Sequence, residues 1–429
     1  MTYQTFRFKS YEFDAAAKTL RLHYGYDDAL HFTETFTFDF DFASYDPALL
    51  DRALQQLFYV AGVSYYKLFL APDIQVEAGD VDASLQTFLE NTYQRGLGEF
   101  WYVNQLDPRT RVPFPLTTQE QLPAHSRASD GLLVGIGGGK DSLVSVELLR
   151  GSGLDVATWS LNHRAQLTPL VERIGLPHYW VGREWDTQVA ELNAGGAYNG
   201  HVPISAVIAA TGTIVAILTG RRDHVVSNEQ SANEPTLEYQ GVAINHQYSK
   251  SQEFEQQYQA LLADTFGDSA RYYSLLRPLS ELRIAELFAV RRWFDTYHDV
   301  FSSCNRAFVH GNDHIFWDGT CPKCAFVYLA LTPFLPAEKI QALFGCKNLL
   351  LDPALEPTYR QLLGIVSEKP LECVGEVKES RAAMREAQQT HPELAKYQFD
   401  IPADYDFRTL ASHHMPAEVW EIIRPQLQP

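Results

Sequence analysis

The sequence predicts an α/β fold built on a doubly wound parallel sheet, and two observations support this class. From residue 131 onward, short apolar runs typical of buried strands alternate with segments of helical periodicity, which is the rhythm of βαβ units. Residues 1–115 show a different order, with strands first and helices after them. We therefore expect a small N-terminal β-then-α domain before the parallel sheet and a helical C-terminal extension after it.

The N-terminal strands are predicted by a strict alternation of apolar and polar residues. This alternation occurs in FRFKSYEF, TLRLHYGY and FTETFTFDF, which indicates a small antiparallel meander. Helical periodicity follows in PALLDRALQQLFYVAGVSYYKLFL and VDASLQTFLENTYQRGLGEFWYV. Residues 116–130 are polar and contain proline, so they are predicted to link this domain to the next.

The second predicted domain covers residues 131–340. Its strands are GLLVGIG, LDVATWSLN, PHYWVGRE and HVVSN, and its helices include KDSLVSVELLRGSG, AQLTPLVERIG and PISAVIAATGTIVAILTGR. Residues 229–275 are polar with scattered aromatic side chains, so we expect them to form an insertion before the helix in LSELRIAELFAVRRWFDTY. Residues 341–429 contain helical segments joined by proline-rich loops, which predicts the helical extension.

The composition limits the classes of partner. The 429 residues include 35 Lys and Arg against 53 Asp and Glu, a formal charge of -18, which argues against general nucleic-acid binding. No apolar run reaches the about 18–20 residues of a membrane span, and the start, MTYQTFRFKSYEF, lacks a secretory signal. We expect a cytoplasmic protein with reduced cysteines; its oligomeric state is not predicted.

The stretch LLVGIGGGKDSLVSVELL, residues 132–149, indicates a phosphate-binding turn between a strand and a helix. A Walker A loop fails because Val134 and Asp141 stand where it needs Gly and Ser or Thr, and a dinucleotide fingerprint fails at Lys140. The pyrophosphate loop of the adenine nucleotide alpha-hydrolase fold, Ser-Gly-Gly-x-Asp-Ser, matches residues 137–142 except that Gly137 replaces the leading Ser. This match predicts that type of sheet and an ATP site, whereas the alternative is a glycine turn without a ligand.

Each residue of this turn has an expected role toward ATP. The glycines let the backbone approach the phosphates, and the helix start presents free N–H groups to them. A serine hydroxyl can donate to a phosphate oxygen, a lysine offsets charge, and an aspartate can hold Mg²⁺ beside the leaving pyrophosphate. The nucleotide-binding candidates are Gly137, Gly138, Gly139, Lys140, Asp141 and Ser142, with Ser160 and Asn162 on the second strand for the adenine or ribose.

Polar clusters follow the fourth predicted strand, where ligands bind in parallel α/β sheets. Asn228, Glu229 and Asn233 lie in SNEQSANEPT, and His246 and Lys250 lie in GVAINHQYSKSQEFE. A solvated loop is the alternative interpretation of the first segment. Either segment contains groups able to contact a substrate or a metal.

The cysteines suggest a metal site. Cys321 and Cys324 form a C-x-x-C pair, and Cys304 supplies a third thiol. Such a pair is a common half-site of tetrahedral structural zinc, and His310, His314 or Cys346 is a candidate fourth ligand. Core or substrate-lining thiols and a redox pair are the alternatives.

Seven segments in order resemble one known family. They are GGGKDS, SNEQSAN, NHQYSKSQEFE, RPLSELRIAELF, SSCNRAF, CPKCAF and KPLECVGE, spread over about residues 130–380. Together they resemble the MurL family of ATP-dependent epimerases in peptidoglycan biosynthesis, which invert the terminal glutamate of UDP-N-acetylmuramoyl-L-alanyl-L-glutamate. The resemblance implies ATP and Mg²⁺ as cofactors. It also implies adenylation of the glutamate α-carboxylate, exchange of the α-proton, and hydrolysis to AMP and pyrophosphate.

The resemblance leaves the acid and base groups unassigned. Two groups on opposite faces of the α-carbon are expected, and the candidates are His246, Lys250, Cys304 and Glu229. Candidates for holding the carboxylates or phosphates of the substrate are Asn228, Asn233, Arg277 and Cys373. The N-terminal domain is expected to help enclose the nucleotide-sugar.

Two rival interpretations remain open from the residues alone. One is another carboxylate-adenylating enzyme of the same loop class, such as a zinc-dependent deazaguanine nitrile synthase. The other is a non-catalytic sensor of adenine nucleotides, which would bind ATP without releasing pyrophosphate.

Overall fold

The computed structural model describes residues 3–119, 130–309, 311–366 and 369–428. Most of the predicted linker, residues 120–129, lies outside the described residues, as does His310.

Eleven strands and sixteen α-helices make up the described ranges. The strands are β1 (Thr5–Asp14), β2 (Thr19–Tyr26), β3 (Leu30–Asp39), β4 (Asp73–Val76), β5 (Leu132–Gly135), β6 (Val156–Leu161), β7 (His178–Glu184), β8 (Asp223–Val226), β9 (Leu237–Tyr239), β10 (Val242–Ile244) and β11 (Arg271–Ser274). The helices are α1 (Pro47–Ala61), α2 (Val63–Tyr66), α3 (Ala83–Gly96), α4 (Gly98–Val103), α5 (Lys140–Leu149), α6 (Arg164–Ile174), α7 (Gln188–Ala194), α8 (Ile204–Leu218), α9 (Gln252–Phe266), α10 (Glu281–Val290), α11 (Trp293–Tyr297), α12 (Pro322–Leu331), α13 (Ala337–Leu343), α14 (Glu356–Leu362), α15 (Val377–Thr390) and α16 (Ala417–Leu427).

One nine-stranded sheet runs through the molecule in the order β11-β8-β5-β6-β7-β3-β2-β1-β4. The five strands from β11 to β7 are mutually parallel. The mixed α/β class with a large, mostly parallel sheet is therefore confirmed. The strand order reverses beside β5, and ligands of such sheets bind at the carboxyl ends of the strands at that point. The glycine turn follows β5 at this position.

The N-terminal meander continues this sheet, which the sequence did not predict. β3 pairs antiparallel with β7, from Thr35 opposite Glu184 to Asp39 opposite Trp180. The buried Glu34 and Arg183 form an ion pair between the same two strands. An unpaired strand edge must find a partner, but alternation within one strand does not specify which edge it joins. That edge pairing is a long-range contact.

Helices cover both faces of the sheet. Leu133 on β5 packs into one hydrophobic core with α8 and α1. Its neighbours Leu132 and Val134 pack into a second core with α5, α6, α10 and α12. Successive side chains of a strand point to opposite faces, so the two cores lie on opposite sides of β5. The helices α14, α15 and α16 of the C-terminal part join the second core.

The predicted insertion at 229–275 contributes to the sheet. It contains the hairpin β9–β10, the helix α9 and the strand β11. β11 pairs parallel with β8, from Arg271 opposite Asp223 to Ser274 opposite Val226. Its four residues RYYS lack the aliphatic run of the other parallel strands, which is why the sequence did not reveal a strand there.

The helix α8 is apolar and 15 residues long, and α1 and the sheet cover it. Across the ranges that the structure describes, no helix combines the length and the apolar character needed to cross a membrane.

We predict that Gly212→Ala destabilises the fold. A Cβ on Gly212 of α8 would lie 2.1 Å from Cε1 of the His224 ring on β8. That ring is buried and accepts a hydrogen bond from Trp159 Nε1 at 3.3 Å, so it cannot move aside freely. Because the contact is so short, the overpacking cost should lie at the upper end of about 1–3 kcal/mol and so exceed the gain of about 1 kcal/mol in helix propensity. Thermal unfolding followed by circular dichroism measures the change.

The matched control is Gly182→Ala in β7, where the nearest atom to the new Cβ is Thr37 Cβ at 3.8 Å. This variant should unfold close to the wild-type temperature. If Gly212→Ala unfolded at or above the wild-type temperature, the close packing of α8 on β8 would be refuted.

Candidate functional site

The glycine turn leaves room and hydrogen-bond donors for an anion. α5 begins at Lys140, and no side chain caps its first turn. A Cβ on Gly137 would have no neighbour within 4 Å, and Gly138 adopts a positive φ of 96°. Glycine adopts that conformation without strain, and a helix start with free N–H groups attracts phosphate. The turn therefore fits the pyrophosphate loop that its sequence predicts.

A second segment lies against the turn. The Ser302 amide donates to the Gly138 carbonyl oxygen at 3.0 Å. A Cβ on Gly138 would lie 2.6 Å from Phe308 Cζ, and one on Gly139 would lie 2.7 Å from Ser303 Oγ. The contact with Phe308 therefore also disfavours a side chain at Gly138, independently of any ligand, whereas the Ser303 hydroxyl beside Gly139 can rotate away.

Lys140 is buried behind the turn. Its Nζ lies 2.5 Å from Asp141 Oδ1 and also bonds Glu281. Lys323 Nζ reaches the other oxygen of Glu281 at 3.4 Å. Burial alone would lower the pKa of Lys140, but the Asp141 and Glu281 carboxylates outweigh it and raise that pKa. Lys140 therefore stays charged and links α5 to α10.

Three carboxylates converge beside this lysine. One oxygen each from Asp141, Glu229 and Glu281 lies within 4.8 Å of the other two. Burial, with added repulsion from Glu281 and Asp141, raises the pKa of Glu229 to about 7. The three carboxylates outnumber the two lysines bonded to them, and converging oxygen ligands of this kind fit a hard cation such as Mg²⁺. The sequence predicted Asp141 for this role, and the structure adds Glu229 and Glu281.

A second cluster surrounds Cys373. Lys250 Nζ lies 3.2 Å from Cys373 Sγ, and His246 bonds both the thiol and Glu99. His201 lies beside them, with Nδ1 3.6 Å from the same Glu99 carboxylate. Cys373, Lys250 and His246 are each only partly exposed. We call Cys373, Lys250, His246 and Glu99 the thiol cluster.

The electrostatics of the thiol cluster favour a thiolate. Burial raises the pKa of the Cys373 thiol, but the Lys250 charge and the His246 bond outweigh it, and the pKa falls to about 6. Burial also opposes protonation of His246, yet its bonds to Cys373 and Glu99 raise its pKa to about 9. At neutral pH a thiolate therefore lies between two cations, an arrangement typical of reactive cysteines.

Arg277 connects the thiol cluster to the group of three carboxylates through hydrogen bonds to their backbone. Its guanidinium is fully buried and pairs with Glu255 at 2.8 Å. Nη1 donates to the Glu229 carbonyl oxygen at 2.7 Å, and Nη2 donates to the Lys250 carbonyl oxygen at 2.6 Å. All three guanidinium nitrogens have protein partners. This arrangement supports a positioning role, whereas the sequence suggested a contact with substrate.

The other predicted nucleotide and substrate residues have partners within the protein. Ser160 Oγ donates to the Ile136 carbonyl oxygen at 2.8 Å, and Asn162 Oδ1 accepts from the Arg183 amide at 2.6 Å. Ser142 Oγ donates to the Gly139 carbonyl oxygen at 3.1 Å.

The predicted substrate residues Asn233 and Asn228 also have protein partners. Asn233 Oδ1 accepts from the Gln252 amide at 2.7 Å, and the Asn228 carbonyl oxygen accepts from Ser274 Oγ at 2.6 Å. Their roles toward ligands stay predictions.

Cys304 belongs to a different group of side chains from Cys373. It groups with Cys321, Cys324 and Asp318, four side chains whose ligand atoms all lie within 4.8 Å of one another. Of the predicted fourth ligands, His314 pairs with Asp313 on the surface and Cys346 is exposed. The sequence missed Asp318 because a lone aspartate three residues before a cysteine has no distinctive spacing.

Fold and site together define an α/β protein with a glycine turn at the start of a helix, a group of three carboxylates and the thiol cluster. Comparison with known proteins gives the family. A family model of the MurL N-terminal domain matches residues 1–275, and a model of the MurL C-terminal domain matches residues 300–399. The chain belongs to the MurL family.

Curated relatives match most of the chain. A UDP-N-acetyl-alpha-D-muramoyl-L-alanyl-L-glutamate epimerase of Xanthomonas oryzae pv. oryzae is 37% identical over 98% of this chain and 97% of its own length. Proteins of the same name from Salinispora tropica and a Micromonospora species are each 40% identical over 88% of this chain. They are covered over 84% and 86% of their own lengths. All three relatives are named as epimerases, so the comparison does not favour either rival interpretation, the nitrile synthase or the nucleotide sensor.

We predict that Arg277→Met lowers the free energy of unfolding by about 3–5 kcal/mol, because it leaves the buried Glu255 carboxylate without a charged partner, although the Ser274 amide still donates to one of its oxygens. Adding Glu255→Gln should recover part of that loss by removing the unpaired charge. Urea unfolding measures both variants.

Arg111→Met is the control, because Arg111 is exposed and its ion pair with Glu90, at 3.5 Å, should contribute little. A substrate-binding Arg277 would give the opposite pattern, with wild-type stability and an increase in KM alone.

Proposed function

We propose that this chain is an ATP-dependent epimerase that inverts the terminal glutamate of UDP-N-acetylmuramoyl-L-alanyl-L-glutamate, a peptidoglycan precursor. The observation that carries the chemistry is the thiol cluster, whose Lys250 is close enough to Glu229 and Asp141 to interact with their charges. A partly exposed Cys373 thiolate, held 3.2 Å from the Lys250 ammonium, supplies the base that inversion at carbon requires. The named relatives support the substrate.

Inversion needs an activated carboxylate. Removing the α-hydrogen of a free carboxylate would place a second negative charge beside the first. In the proposed reaction, an α-carboxylate oxygen attacks the α-phosphorus of ATP, and the bond to pyrophosphate breaks as the new O–P bond forms. The resulting mixed anhydride has a carbonyl that can take up the electron pair of the broken C–H bond as an enolate.

The glycine turn is proposed to hold the ATP phosphates, in a sheet of the adenine nucleotide alpha-hydrolase type. Its open side at Gly137 and the uncapped start of α5 support this placement. Asp141, Glu229 and Glu281 would hold Mg²⁺, which supplies positive charge to the leaving pyrophosphate. Lys140 and Lys323 offset the remaining charge of these carboxylates.

Proton transfer is proposed to occur at the thiol cluster. The Cys373 thiolate takes the α-proton, and the planar enolate receives a proton on its opposite face. His246, protonated at neutral pH, and the Lys250 ammonium contact the sulfur itself and stabilise the thiolate, so the donor is a separate group across the substrate from Cys373. Water then attacks the acyl carbon, which releases AMP and the D-glutamyl product. The position of Glu99 in the cluster supports a part for the N-terminal region in enclosing the substrate.

The overall reaction is tested with ATP, Mg²⁺ and the UDP-linked dipeptide in D₂O. We expect pyrophosphate release, deuterium at the glutamyl α-carbon and a D-glutamyl product, measured by phosphate assay, mass spectrometry and chiral analysis. Release of pyrophosphate only with another carboxylate would reject the epimerase and keep ATP cleavage. Binding of ATP with no turnover on any carboxylate would indicate a nucleotide sensor.

The base is tested with Cys373→Ala. We expect deuterium incorporation to fall by about 10²–10⁴-fold, because a positioned acid–base group contributes that factor. Exchange of labelled pyrophosphate into ATP should continue, since adenylation does not use the thiol. In the wild type, kcat/KM should fall below pH about 6, where the thiolate is protonated, and above pH about 9, where His246 loses its proton.

Cys346→Ala is the matched control, because Cys346 is an exposed free cysteine outside the site. It should keep both exchange reactions at the wild-type rate. Undiminished α-deuteration in Cys373→Ala would show that another group takes the proton.

A further inference from the structure

The four side chains around Cys304 form a closed group of metal-ligand type. Cys304, Cys321 and Cys324 are buried, and their sulfurs and one Asp318 oxygen lie within 4.8 Å of one another. Cys321 precedes α12, and its sulfur accepts from the Cys324 amide at 3.4 Å. Cys304 and the segment 318–324 therefore meet at the start of α12.

The composition of this group fits zinc better than its alternatives. A disulfide would use two of the three sulfurs and leave the third unexplained. A core of plain thiols would not include a carboxylate, yet Asp318 Oδ1 lies 3.2 Å from Cys324 Sγ. Three thiolates and one carboxylate give the four S and O ligands of a tetrahedral structural site, with no open position for a substrate.

Neighbouring groups hold the Asp318 carboxylate in place. Oδ1 accepts from the Thr320 amide at 2.9 Å, and Oδ2 accepts from Thr320 Oγ1 at 2.8 Å. Arg306 pairs with Oδ2 at 3.0 Å. Three thiolates and a carboxylate around Zn²⁺ leave two net negative charges, one of which Arg306 can offset. Outer-shell partners of this kind orient metal ligands.

We propose that Cys304, Asp318, Cys321 and Cys324 bind one structural Zn²⁺ that holds the segment 302–308 against the glycine turn. Ser302, two residues before the first ligand, donates to the Gly138 carbonyl oxygen at 3.0 Å. Phe308, four residues after it, packs on Gly138. The segment is then held by the metal at Cys304 and by contacts with Gly138 at Ser302 and Phe308.

The same metal orients a charge in the carboxylate group. Lys323 lies between two of the ligands in sequence and contacts Glu281, the partner of Lys140. Loss of the metal therefore loosens both the cover of the glycine turn and the position of Lys323. Zinc occupancy and nucleotide affinity should rise and fall together.

Metal content is measured on the full chain as purified under reducing conditions, without ATP or substrate. Elemental mass spectrometry should find about one zinc per chain. X-ray absorption spectroscopy should find three sulfur ligands at about 2.3 Å and one oxygen ligand at about 2.0 Å from the zinc. Because no catalytic step is involved, failure of this experiment would leave the proposed epimerase reaction untouched. Failure of the epimerase would equally leave the zinc intact.

Variants assign the ligands. Cys321→Ser should lose the zinc, and Asp318→Ala should weaken binding by more than the about 10–100-fold typical of losing an outer-shell partner. Both should weaken ATP binding measured by calorimetry. Cys346→Ser, which removes an exposed cysteine, should retain full zinc content.

A wild-type experiment remains decisive if these variants fail to fold. A chelator should release one zinc and make three further thiols reactive toward a thiol reagent, and Co²⁺ should restore their protection with a tetrahedral thiolate spectrum. A native chain that contains no zinc, takes up no Co²⁺ and exposes three reactive thiols would refute the proposal. A Cys321–Cys324 disulfide that persists in protein purified under reducing conditions would refute the proposal as well.

Discussion

The site depends on one buried ion pair, between Arg277 and Glu255. A guanidinium cannot stay in a protein interior unless its charge and its hydrogen-bond donors find partners. Glu255 provides the charge, and the carbonyl oxygens of Glu229 and Lys250 take the remaining donors. Satisfying Arg277 therefore fixes the backbone that carries one carboxylate and one ammonium of the site. The same side chain therefore positions the group of three carboxylates and the thiol cluster relative to each other.

Local sequence was sufficient for the parts of the fold that local patterns encode. The alternation of β1 to β3, the βαβ rhythm and the strand–turn–helix around Gly138 all appear in the structure at the predicted places. Contacts distant in sequence left no local pattern. The pairing of β3 with β7 joins segments about 150 residues apart, and its determinants lie partly in the buried pair of Glu34 and Arg183.

The same limit applies to the site. Lys140 and Asp141 stood out because they lie in the glycine-rich turn, and Lys250 stood out because it lies in a polar segment. Glu99 did not, because it lies in the aromatic helix α4 and reaches His246 only through the tertiary fold. Cys373 was recognised as a candidate for substrate contact, but its electrostatic setting became visible only when Lys250 was placed beside it. Burial and pairing decide a pKa, and a linear sequence contains neither.

The shared ladder between β3 and β7 has a consequence for how such a protein could arise. The meander cannot be removed without exposing the backbone edge of β7, a row of unpaired donors and acceptors that invites association with other chains. The part of the chain from β5 onward is therefore not structurally independent of the meander, and exchanging it alone would leave that edge exposed. The meander and the parallel strands would therefore have to be inherited together, as one sheet.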